Sequence, residues 1–239
     1  GMEPQDNFSF INSYLSRVSP VIRKYQGFID KYIGDAVMAL FPTSADDALQ
    51  GAIAMQEQVT LYNQHRQNHG YLPIKIGIGI HTGNLMLGTI GSDERMETTV
   101  IADAVNLASR IEGLTKYYGA GILISEETRL KLDNLPSYNY RFVAQVKVKG
   151  RQKIVEVFEV YDGDSEEIRE LKTDTKAKFE EALSVYYQQH FAQAKQIFQE
   201  IWQTNPEDKA AKLYLERCEQ YQRSGVPEHW SGVEALNQK

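Results

Sequence analysis

The chain has 239 residues, 42% of them apolar and 24% charged, enough for one good core and a satellite module. A formal net charge of -6, with lysine and arginine scattered along the chain, argues against nucleic acid or an anionic membrane surface as the main partner. No apolar run approaches the roughly 20 residues of a membrane span and no signal-like start is present, so the chain reads as cytoplasmic, with room for an upstream sensor in a longer parent.

Gly1 precedes Met2 and is set aside as a tag remnant. From Pro4 to Tyr25 the residues Phe8, Ile11, Leu15, Val18 and Ile22 recur at helical spacing, and Gly27 ends the run. Phe28 to Ile33 and Ala36 to Phe41 then read as a hairpin around Gly34-Asp35, followed by a helix over Asp46 to Gln64. Ile74 to Ile80 alternates isoleucine with Gly77 and Gly79, which predicts a central strand whose glycine face something approaches closely. His81-Thr82-Gly83 turns the chain into a further run, Leu85 to Ile90, and Asp103 is placed to cap a helix to about Leu114. Gly121 to Ile124 reads as a strand, Ser125 to Leu132 as a short helix, and Tyr140 to Val148 with Ile154 to Tyr161 as a last strand pair. Interleaved helices and hairpins predict an α+β sandwich, an antiparallel-rich sheet covered by helices.

The charged segment 162–174 is the best candidate for a linker between a domain over 2–161 and a helical tail over 175–239. In the tail, Ala182, Phe191, Ala194, Phe198 and Pro206 stand at the offsets of a tetratricopeptide-type helical hairpin, with a second helix from Asp208 to about Gln222. One repeat cannot bury both faces, so the tail must dock on the domain, a second copy or a partner. Cys218, the single cysteine, has no thiol to pair with and reads as a small buried hydrophobe in a reducing compartment.

Taken alone, Lys31 and Asp35 fit an edge-strand lysine and a turn aspartate better than they fit a site. In company they say more. The stretch GFIDKYIGDAVMALF from Gly27 to Phe41 closely resembles the metal-binding hairpin of class III adenylate and guanylate cyclases. Ile76 to Gly91, with His81, Gly83, Gly88 and Gly91, resembles that family's next hairpin; TVIADAVNLASRIE from Thr99 to Glu112 resembles its catalytic helix. Val148-Lys-Gly-Arg151 resembles its triphosphate-contacting segment, and all of these keep family order.

The resemblance implies the ferredoxin-like cyclase sandwich and conversion of ATP to cyclic AMP and pyrophosphate, with two divalent cations, Mg or Mn. It assigns Asp35 to metal, Asn106 to ribose orientation, Arg110 to the pentavalent phosphate, Lys149 to the terminal phosphates, and Lys31 with Thr99 to the base. Asn106 and Arg110, four apart on a helix, share a face; Lys149 fits a strand-end surface lysine nearly as well. A lysine donor with a threonine oxygen suits adenine, whereas guanine readers usually carry an acidic residue and a cysteine. Threonine at 99 further resembles the branch that includes bicarbonate-responsive enzymes. Sites shared between two domains imply a homodimer.

Two departures stand against the family pattern. Ala102 replaces a common glycine, and the first strand, which carries the other metal aspartate, has no counterpart before Pro4. The expected consequence is weak or absent turnover, and the alternative is a cyclase-like regulatory or partner-binding module without chemistry. A diguanylate-cyclase relative is disfavoured because its Gly-Gly-Asp/Glu-Glu-Phe loop is absent.

Overall fold

The computed structural model describes residues 4–84, 94–148 and 153–236. The chain divides into two compact units, residues 1–76 with 131–134, and residues 77–130 with 135–239.

Helix α1 (Pro4–Lys24) opens the first unit and buries Val18 and Ile22. A hairpin follows, β1 (Phe28–Ile33) antiparallel to β2 (Ala36–Leu40), and Gly34 in its turn has φ +63. A positive φ there matches the strand twist of a two-residue turn, and glycine adopts it at no steric cost. Helix α2 (Ala45–Asn68) starts at Ser44, whose side chain accepts the Asp47 N–H at 3.0 Å, and it buries Leu49, Ala52, Val59 and Tyr62. Buried Asp46 gathers the segment 131–134 by accepting the N–H groups of Asp133 at 2.7 Å and Asn134 at 3.3 Å.

The isoleucine run pairs in a sheet later than its pattern predicts. Asn63 of α2 brackets the backbone of Ile74, donating to its carbonyl at 2.8 Å and accepting its N–H at 2.7 Å, while Gln56 donates to the Ile76 carbonyl at 3.2 Å. Side chains thus satisfy this backbone in place of a strand ladder, and β3 is only Ile78–Ile80.

The second unit holds a sheet of order β3-β4-β6-β5-β7. β3 is parallel to β4 (Ile122–Ser125), β4 and β5 (Tyr140–Val148) are each antiparallel to β6 (Ile154–Val160), and β5 is parallel to β7 (Glu234–Leu236). Helix α3 (Glu94–Tyr118) lies against β3, and short α4 (Glu126–Leu130) follows β4. Asp103 therefore lies inside α3 and does not cap it; the periodicity starting at Glu94 takes precedence over the local cap signal. The expected run Leu85 to Ile90 lies outside the described residues.

The segment 162–174 is a linker only at its start, because α5 (Glu166–Tyr187) begins at an N-cap formed by Ser165. With α6 (Phe191–Thr204) and α7 (Lys209–Ser224) it docks on the sheet. Leu107, Ile111 and Leu114 of α3, Val143, Val146, Val155 and Val157 of the sheet, and Phe179, Phe198 and Tyr214 of the tail form one core. Ala182, Ala194 and Phe198 are fully buried in it, and Cys218 is a buried hydrophobe as read from the sequence, its thiol pushed up to about 12 by burial.

The charges that made 162–174 look like a linker include internal ones. Arg141 on β5 donates to Glu159 of β6 at 2.7 Å and to both oxygens of Asp208, the N-cap of α7, at 2.7 and 3.0 Å. Lys172 of α5 donates to Glu159 at 2.5 Å and Asp164 at 2.6 Å. Burial alone would raise the carboxyl groups of Glu159 and Asp208, but Arg141, together with Lys172 and the hydrogen bonds each carboxylate accepts, outweighs it and holds both below the ordinary range. Each of these buried charges faces an opposite one, so removal of a single partner leaves a buried charge uncompensated and is costly.

Candidate active site

Two of the sequence-derived site residues stand on the β1–β2 hairpin. Lys31 lies opposite Met38, and a register shift between Ile29 and Lys31 marks a bulge at Asp30. The bulge breaks the two-residue period there, so Ile29 and Lys31 do not continue one face as simple alternation predicts. Asp35 occupies the second position of the turn, exposed. It is near enough to α1 to help raise the Tyr14 phenol, whose shift comes first from burial and then from this carboxylate. Among the described residues, no three or more histidine, cysteine, aspartate or glutamate side chains gather as a metal site. Asp35 offers one carboxylate of the kind that holds Mg or Mn together with substrate phosphates; the described residues fit only part of what two ions need.

Asn106 and Arg110 stand on α3 in the second unit. Leu107, Ile111, Leu114 and Tyr118 turn the apolar stripe of this helix into the core. Asn106 is exposed, and Arg110 is half-buried, with its Nη1 buried and lacking a hydrogen-bond partner among the described residues. An unpaired guanidinium nitrogen is costly, and an incoming anionic oxygen relieves that cost. The helix is brought this close by the glycines of the β3 segment. A Cβ at Gly79 would stand 2.7 Å from the Ala108 carbonyl oxygen and clash with the Glu112 backbone nitrogen, and one at Gly77 would stand 2.8 Å from Thr115 Cβ. What the sequence predicted to approach Gly77 and Gly79 is α3 itself. Thr99 falls in α3, and Ala102 lies three residues further along it.

The turn after β3 is pinned from β4 and α4. His81 Nδ1 is 2.9 Å from Ser125 Oγ, Thr82 Oγ1 is 3.0 Å from Thr128 Oγ1, and Ser125 Oγ is 3.2 Å from Thr128 Oγ1. Glu127 stands 4.0 Å from His81 and 2.8 Å from Lys153. Burial would raise the Glu127 carboxyl, but the Lys153 hydrogen bond, together with the further contacts, lowers it. These bonds fix where the turn leaves the sheet, beside Ala104 of α3.

Lys149 lies outside the described residues, immediately after β5. What the sequence reading missed is how β5 is held. Glu180 Oε1 accepts the Phe142 N–H at 3.2 Å, Tyr187 Oη accepts the Gln145 N–H at 3.1 Å, and Tyr214 donates to the Val143 carbonyl at 2.6 Å. β7 then pairs with Val146, Lys147 and Val148. Three residues of strand so far from β5 in sequence carry no periodic signal.

Among the described residues, no helix is long and apolar enough to cross a membrane. Residues 2–160 match the family described as the adenylate and guanylate cyclase catalytic domain. An adenylate cyclase of Anabaena cylindrica is 46% identical over 165 residues, covering 66% of this chain and 33% of that protein. The terminal-differentiation specific adenylate cyclase of Dictyostelium discoideum is 36% identical over 219 residues, covering 89% of this chain and 10% of that protein. The chain therefore spans a third or less of the length of these relatives. The crystal structure of the adenylyl cyclase CyaB from P. aeruginosa superposes with a TM-score of 0.55 at 34% identity, covering 66% of this chain and 84% of that one. With the hairpin, the α3 pair and the sheet in place, the chain belongs to the class III adenylate and guanylate cyclase catalytic domains.

Proposed function

We propose that this chain is an adenylate cyclase catalytic domain that binds ATP in the cytoplasm, in a signalling protein, and works as a homodimer. The observation that carries the reading is Arg110, a half-buried guanidinium with an unpartnered nitrogen one helical turn from Asn106. In the reaction the ribose O3′, its hydroxyl proton passing to solvent, attacks the α-phosphorus, the bond from that phosphorus to the bridging oxygen breaks, and pyrophosphate leaves with the electron pair. Arg110 stabilises charge on the five-coordinate phosphorus, and Asn106 holds the ribose so that O3′ is in line. Lys31 donates to a ring nitrogen of adenine and Thr99 accepts from its amine, while Lys149 binds the terminal phosphates. Two divalent cations, Mg or Mn, would neutralise phosphate charge and favour ionisation of O3′ when bound, with Asp35 as one ligand.

That Asp35 gathers with no further cluster of such ligands among the described residues also supports a second reading, a chain that binds ATP with weak turnover or none and acts as a regulatory module. An ATP-to-cyclic-AMP assay with manganese decides between them. The enzyme reading expects product, with Arg110→Ala lowering turnover by about 10²- to 10³-fold at nearly unchanged ATP affinity. ATP binding without product would favour the module; absence of ATP binding would refute both. Base choice rests on Lys31→Glu with Thr99→Cys, expected to shift preference from ATP towards GTP.

A further inference from the structure

The end of α2 carries two histidines four residues apart. His65 and His69 share a face, both are exposed, and their ring centroids stand 4.3 Å apart. His69 is the C-cap, its N–H donating to the Arg66 carbonyl at 3.0 Å, and Gly70, φ +77, turns the chain back so that the Tyr71 N–H reaches the same carbonyl at 2.9 Å. The His69 ring is fixed as well, with Nδ1 2.8 Å from the His65 carbonyl oxygen. A carbonyl only accepts, so Nδ1 carries the hydrogen, and in the neutral ring Nε2 keeps a free lone pair. A backbone carbonyl orients a metal-ligating imidazole in this way. Among the described residues, no further side-chain hydrogen bond or ion pair engages either ring.

The surroundings favour a cation. The pair stands at a helix C-terminus, where the macrodipole is negative. Arg66, the nearest fixed positive charge in sequence, lies on another face: its guanidinium is 5.1 to 5.6 Å from the rings of Phe10, Tyr62 and Tyr71, and its Nε donates to the Leu72 carbonyl at 2.8 Å.

We propose that His65 and His69 form a binding site for zinc, held by one nitrogen of each ring with water in the remaining positions. Two imidazoles bonded to one ion at about 2.0–2.1 Å have centroids roughly 4.5–5 Å apart, so exposed rings at 4.3 Å need open only slightly. The site is chemically separate from the cations of a nucleotide site, because Mg and Mn prefer oxygen ligands whereas imidazole suits zinc. It does not depend on the roles of Asp35, Asn106 or Arg110. Zinc held across this turn staples the end of α2, from which Asn63 and Arg66 grip the returning chain at Ile74 and Leu72.

The test is calorimetric titration with zinc chloride in excess magnesium, which occupies oxygen sites. The unaltered chain is compared with His65→Ala, with His69→Ala, and with Gln64→His combined with His65→Gln, which keeps two imidazoles but moves them off a common face. Amide hydrogen exchange at His69, Gly70 and Tyr71 is followed with and without zinc. The expected result is one zinc per chain at the pair, bound at least about tenfold more weakly by all three variants. Zinc should slow exchange severalfold in the unaltered chain and leave the variants unchanged. His190→Ala and His229→Ala should bind zinc like the unaltered chain. Equal affinity in the shifted pair or in either single variant, zinc binding without slower exchange, or an unaltered chain that bound no zinc would overturn the site.

Discussion

Gly79→Ala tests the link between strand packing and catalysis. The new methyl would stand 2.7 Å from the Ala108 carbonyl oxygen, against ordinary contact from 3.4 Å, and closer still to the Glu112 backbone nitrogen, so α3 must retreat by more than about 0.7 Å or β3 must bend. The obstacle is helix backbone, and no rotamer change relieves it. Overpacking of this kind costs about 1–3 kcal/mol, a fall in Tm of roughly 2–12 °C for a protein of this size. The same displacement carries Asn106 and Arg110 with the helix, and misplacement on the order of 1 Å costs up to about 10²-fold in rate. Cyclic AMP formation with manganese should fall about 10- to 100-fold relative to the unaltered chain, with the helix content retained by circular dichroism. Gly77→Ala is the control, because it meets the Thr115 side chain instead. Adding Thr115→Ala removes the nearest atom and should restore part of the stability, whereas no side-chain truncation should rescue Gly79→Ala. Full activity and an unchanged Tm in Gly79→Ala would refute the claim that this glycine sets the helix position.

Asp208→Asn keeps an N-cap acceptor for Ala211 but leaves Arg141 with Glu159 alone, and unfolding in urea should show a loss of about 3–5 kcal/mol. Glu159 and Asp208 are held below their ordinary values of 4.5 and 3.8, so their contribution is full above those values. It should fade as pH drops through the lower folded values. Asp164 is raised by burial and works in the opposite sense, gaining stability as pH falls towards 3.8, so a chain with Asp164→Asn should lose stability more steeply in acid than the unaltered chain. Asn63→Ala removes both bonds to the Ile74 peptide and should cost about 1–3 kcal/mol, read as a lower urea midpoint.

Much of this protein was legible in its residues. The helix periods of α1 and α2, the Gly34-Asp35 hairpin, the β5–β6 pair, and the spacing that puts Asn106 and Arg110 on one face follow from local pattern, because side-chain period and turn chemistry act over a few residues. The alternation of Gly77 and Gly79 foretold a close approach. The identity of the approaching element required the fold, since α3 lies some thirty residues away in sequence and only packing chooses it. Tertiary structure likewise decided that Ile74 bonds to Asn63 and stays out of the ladder, that Asp103 is helical, and that the charged run after Asp162 begins a helix. A partner away in sequence overrode the local signal in the first two cases, an amide on α2 and a helix started nine residues upstream, while the charged run is capped by Ser165 and turns Lys172 inward to Glu159. β7 is the extreme case. Its place is fixed by an aromatic anchor at Trp230 and by β5, nearly ninety residues earlier, and a three-residue segment has no pattern of its own from which that pairing could be read.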